Sequence, residues 1–101
     1  MIIRQWRGFA AIEESDKYVD HFRRIVLPDL NRMQGYHGAY LLRRNLDDGI
    51  EFSVLTLWES MDAIRRFAGE NTEMAVIAPE AEALLRAFDT TATHYEIVID
   101  R

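Results

Sequence analysis

Three side chains in this sequence can exchange a proton near neutral pH, His21, His37 and His94, because an ordinary imidazole titrates at about pH 6.5. Each could act as a general base toward a weakly acidic ligand such as a phenol, and each also reads as a satisfied structural or surface histidine. They fall on separate stretches without the i, i+4 spacing of a helical metal pair, and carboxylates such as Glu96 form no recognisable ligand set around them, so no metal site is expected. Trp6 and Trp58 supply the aromatic surface that a pocket needs, although Trp58 reads equally as a core anchor at a strand end. Arg43 and Arg44 could meet an anion, but pairing with Glu51 across a hairpin is their simpler use. No Ser-His-Asp order, phosphate loop or Gly-x-Gly motif occurs.

Composition narrows the classes further. The absence of cysteine excludes disulfides, thiolate nucleophiles and cysteine-based zinc or iron–sulfur centres. Seventeen Asp and Glu outnumber 12 Lys and Arg, giving a net charge of −5 that argues against a nucleic-acid partner. No apolar run approaches the roughly 18 residues of a membrane span, and the start Met-Ile-Ile-Arg-Gln-Trp lacks a basic region followed by a long apolar core, so no signal peptide is expected there. A cytoplasmic protein is expected, with its 101 residues folding as one domain.

The elements that must position these side chains follow from periodicity. Ile2 to Phe9 reads as a first strand, with Ile2, Arg4, Trp6 and Gly8 on one face and Arg4 and Arg7 interrupting the apolar pattern. A helix capped at Ser15 or Asp16 carries Tyr18, Phe22 and Ile25 in a stripe widened by Val19 and Val26, and Pro28 should stop it or restart it as a short turn. Tyr36 to Arg44 and Ile50 to Trp58 form a hairpin around Asp48-Gly49, and an Arg44–Glu51 pair would set His37 opposite Trp58. Ser60 caps a second helix that Gly69 closes. Residues 70–78 are too apolar for a solvated loop and should pack down or form a helical turn. Ala81, Leu84, Leu85 and Phe88 predict a helix from Pro79, and Thr90 to Ile99 a last strand.

The order β-α-β-β-α-β is the split βαβ pattern of an α+β, ferredoxin-like fold, with an antiparallel sheet ordered 4-1-3-2 and helices on one face. Tyr40, Leu42, Leu55 and Leu57 make the other face apolar as well, which a second subunit would cover. This topology is expected to gather Trp6, Trp58, His37 and His94 at one end of the sheet.

The chain resembles the antibiotic biosynthesis monooxygenase (ABM) family of the dimeric α/β-barrel superfamily. The resemblance rests on Gly35 to Arg44 (GYHGAYLLRR), on the strand-to-helix run Val54 to Ile64 (VLTLWESMDAI) and on the ending His94-Tyr-Glu-Ile97. It implies a homodimer with a pocket in each subunit between sheet and helices, and oxygenation of aromatic phenols without a cofactor. The oxygenases carry an asparagine and a tyrosine where this chain has Val54 and Ile64. Similar haem-degrading enzymes carry a histidine ligand near Ile77 and an asparagine near Arg7, so haem degradation is disfavoured. The expected site comprises a base among His21, His37 and His94, and a small aromatic or quinone-like ligand against Trp58, Trp6, Phe22, Ile64 and Ile77. A non-catalytic binding or interaction module of the same fold is the alternative.

Overall fold

The computed structural model describes residues 1–101. Its centre is strand β1 (Ile2–Ala10), paired antiparallel with β3 (Gly49–Trp58), which pairs in turn with β2 (Tyr36–Leu46). Two short strands, β4 (Ala87–Phe88) and β5 (Thr93–Glu96), share the other edge of β1. The sheet order is β2-β3-β1-β4 with β5 beside β1, which is the expected 4-1-3-2 arrangement with its last strand in two pieces. Between the pieces Asp89 still bonds β1, its N–H donating to the Arg7 carbonyl at 2.9 Å, and Thr91 then bridges to Met74.

Three helices cover one face: α1 (residues 15–31), α2 (Met61–Ala68) and α3 (Pro79–Leu84). Pro28 does not stop α1. Having no N–H, proline cannot bond the carbonyl four residues back and its ring crowds that carbonyl. The helix instead widens into a π turn over Phe22–Val26, where the Leu27 N–H bonds the Phe22 carbonyl, and it runs on to Asn31. The wider turn shifts the inward face. Ile25, expected in the core stripe, is 48% exposed, and Leu30 is buried beyond it. Helix α2 begins where expected, the Ser60 hydroxyl accepting from the Ala63 N–H at 3.2 Å.

One further expectation is corrected. Helix α3 ends at Leu84, and Phe88 reaches the interior from a strand beside Gly8, an apolar spacing that helix and strand can both satisfy. Of the two arrangements expected for residues 70–78, the chain takes the packed one: 73–75 run alongside 90–92, with Ala75 N–H bonding the Thr90 carbonyl at 3.0 Å and Ala92 N–H the Glu73 carbonyl at 2.7 Å.

The hairpin register follows Arg44 and Glu51, whose forked pair measures 2.9 and 3.0 Å. It holds from Gly38 to Leu46, but a bulge then sets Tyr36 opposite Trp58. His37 is the extra, exposed residue of that bulge and does not face Trp58. The expected gathering at one sheet end also fails, because antiparallel pairing joins the start of β1 to the end of β3. Ile2, not Trp6, lies opposite Trp58, while Trp6 pairs with Val54 and His94 with Arg4, both away from that end.

Candidate functional site

The sheet and helices do not close completely on each other. Core packing divides into one cluster around Tyr18 and Phe52 and another around Trp58 and Ile64. Members of both line a cavity of about 90 Å³. Strand alternation aims Arg4 and Trp6 of β1 and Val54 and Thr56 of β3 at it. Helix α1 contributes Tyr18, Phe22, Val26 and Leu30, four residues apart each time, with His21 beside them. In a straight α-helix each such step overshoots one turn by about 40°, and the π turn takes up part of that drift. Phe67 of α2, residues 76–78 and Ala81 of α3 complete the wall. Val76 is its only exposed member and marks the mouth.

Trp6 reaches this position because Gly8 leaves it room: a Cβ on Gly8 would stand 2.8 Å from Trp6 Cη2. The indole N–H donates to the Asp89 carbonyl at 2.7 Å, which fixes the ring against the cavity.

Three polar side chains interrupt the apolar and aromatic lining: Arg4, His21 and Thr56. The Thr56 hydroxyl is occupied, accepting from Trp58 Nε1 at 2.8 Å and donating to the Arg4 carbonyl at 3.5 Å. His21 is 9% exposed and its Nε2 has no hydrogen-bond partner. An unmet buried polar atom costs about 1–3 kcal/mol, so the fold tolerates here an imidazole nitrogen that a ligand could satisfy. The Arg4 guanidinium donates to the carbonyls of Thr72 and Met74, the latter at 2.7 Å, and to His94 Nε2 at 2.9 Å. Arginine only donates, so His94 accepts through Nε2 and is neutral in that bond. Burial, and then the charge on Arg4, push the His94 pKa down. Burial pushes the Tyr18 hydroxyl up to about 12, which keeps this cavity-lining phenol protonated at neutral pH.

Of the residues expected to form the site, His21, Trp6, Phe22 and Ile77 line one cavity. Trp58 and Ile64 do not; both are fully buried in the core cluster behind it, where Trp58 stacks near Phe67 at 5.0 Å between ring centroids. His94 stands behind Arg4, and His37 is at the hairpin bulge. No group of three or more His, Asp or Glu side chains is placed to hold a metal ion. Sequence reasoning missed Arg4, treating it as an interruption of an apolar strand. The signal was its alternation with Trp6: a strand face that carries a pocket tryptophan carries the residue two before it to the same place.

Comparisons with known proteins agree with this architecture. The family profile described as antibiotic biosynthesis monooxygenase matches residues 1–72, and the chain belongs to that family. No curated protein matches the sequence significantly. Among solved structures, a candidate antibiotic biosynthesis monooxygenase from Bacillus cereus superposes with a TM-score of 0.70 at 16% identity, over 100% of this chain and 94% of that one. A variant of SnoaB, a cofactor-independent oxygenase from Streptomyces nogalater, gives 0.69 at 16% identity, over 98% and 95%. The haem degrader MhuD from Mycobacterium tuberculosis gives 0.63 at 16% identity, over 100% and 99%. At these identities the three share the fold with this chain. No helix is long and apolar enough to cross a membrane.

Proposed function

We propose that the cavity between sheet and helices binds a small aromatic or quinone-like molecule and oxygenates it without a cofactor, with His21 as the base. One observation carries this reading: His21 Nε2 is buried, unpartnered and set in a wall that is aromatic and aliphatic apart from Arg4 and Thr56. Such a nitrogen can take the proton of a bound phenol, and the resulting phenolate supplies the electron that oxygen needs. Trp6 and Phe22 hold the ring. His94 is a poor alternative base because its Nε2 lone pair is spent on Arg4, and His37 lies too far out in the bulge. The cofactor-independent oxygenase activity of SnoaB supports the same chemistry. Incubation with a dihydroxy-aromatic substrate should consume oxygen and stop under anaerobic conditions. His21→Ala should lower the rate by at least about a hundredfold; an unchanged rate contradicts the assignment.

The size of the cavity favours a second reading, a non-catalytic binding module, since about 90 Å³ falls below the ~300 Å³ of an ordinary ligand pocket. Binding of the same aromatic without oxygen uptake would establish it. Haem does not fit the residues present. The cavity is small, its only imidazole comes from α1, Ile77 in its wall offers no ligand atom, and Arg7 is turned away to pair with Asp89 at 3.0 Å. Haem degradation is therefore not proposed.

The reading includes a homodimer through the outer face of the sheet. Tyr40, Leu42 and Tyr95 stand exposed there beside Leu55 and Leu57, a contiguous apolar surface of the kind a partner covers.

A further inference from the structure

We infer that the ligand of this cavity is recognised as an anion, an ionised phenol, enol or carboxylate, with Arg4 as the charged pole that selects it. The inference rests on the proposed ligand-binding role of the cavity and names the chemical class of its occupant.

Arg4 is 4% exposed, yet it takes part in none of the ion pairs of the protein. Its three partners, two backbone carbonyls and the neutral His94, are uncharged. The guanidinium cannot shed its proton near neutral pH, so a full positive charge remains at the cavity wall with no counter-ion. Burying a charge without a counter-ion is costly even after relaxation. A neutral amide could bond the same carbonyls without that cost. Three of the five N–H groups of a guanidinium are used, which leaves two for a ligand.

The surroundings hold nothing that would cancel the charge. The remaining polar lining groups are the imidazole of His21, the engaged hydroxyl of Thr56 and the protonated phenol of Tyr18. Glu73 acts electrostatically on His94 but makes no ion pair with Arg4. Phe67 lies 5.7 Å from the guanidinium carbon and offers its ring face, which attracts the cation without neutralising it. A ligand that brings its own negative charge completes the site. A neutral aromatic of the same shape leaves it as unbalanced as before.

The test uses 4-nitrophenol, whose ionised form has its own absorption band, so that protonation of the bound molecule is read directly. With the intact protein, the ionisation midpoint of the bound phenol should lie about one pH unit below that of the free phenol, a roughly tenfold preference for the anion. The same shift should persist in His21→Gln, which excludes an imidazolium as its source, and should vanish in Arg4→Gln. If Arg4→Gln does not fold, the first two measurements still decide the matter. Binding with an unshifted or raised midpoint overturns the anion preference and leaves the pocket standing. Failure of both the phenol and its methyl ether to bind overturns the pocket reading and this inference together.

Discussion

His94 illustrates how a residue can belong to a site without touching its ligand. Its Nε2 accepts from Arg4, and that bond exists only while the ring is neutral. Burial and the neighbouring cation lower its pKa from the ordinary 6.5, so the unfolded chain binds the proton more readily than the folded one. Stability should then be full above pH 6.5 and decline as the pH falls below it, as protonation increasingly favours the unfolded chain. Urea midpoints measured across this range should show the decline in the wild type, and His94→Gln should flatten it. An equal slope in both would remove His94 from the Arg4 network. Arg4 and His94 were legible in the sequence as a strand arginine and a strand histidine, but their contact was not. It joins residues 90 positions apart through a β1–β5 pairing whose register no local pattern encodes.

At the level of elements, two local features shape the cavity. The π turn before Pro28 leaves Ile25 outside while Val26, expected at the margin of the apolar stripe, lines the wall, so the 3.6-residue periodicity that identifies the helix correctly misplaces Ile25 on its inner face. Pro28 was the visible cause, yet proline inside a helical pattern ordinarily signals a stop. The other feature is Gly8, which looks like a weakness in a strand and proves to be the space for the Trp6 indole. Gly8→Ala should cost about 1–3 kcal/mol by overpacking, seen as a lower urea midpoint together with an altered Trp6 fluorescence. An unchanged midpoint would mean that Trp6 moves without cost and is not held as a wall.

For the whole molecule, sheet order and helix placement were readable because each strand and helix declares its type by alternation or helical spacing. The misplaced expectation, a site at one end of the sheet around Trp58, came from joining the wrong strand ends. The consequence is that Trp58, the residue carrying the family resemblance most visibly, is a core anchor, and the cavity lies along the middle of β1 instead. The outer face of the same sheet gives the prediction proper to this scale. In solution the species should have twice the 11.8 kDa mass of the chain, and Leu42→Glu, which places a charge on the exposed apolar face, should convert it to the monomer by analytical ultracentrifugation. A wild-type monomer at micromolar concentration would contradict the proposed dimer.

The central claim, that the cavity beside His21 receives an aromatic ligand, is tested most directly by the ring nitrogens of the three histidines. In a 15N-edited NMR titration with 4-nitrophenol, His21 Nε2 should shift strongly on saturation, because its empty hydrogen-bonding position is filled, while His37 in the exposed bulge stays where it was. Saturable binding that leaves the His21 resonances unmoved would contradict the account.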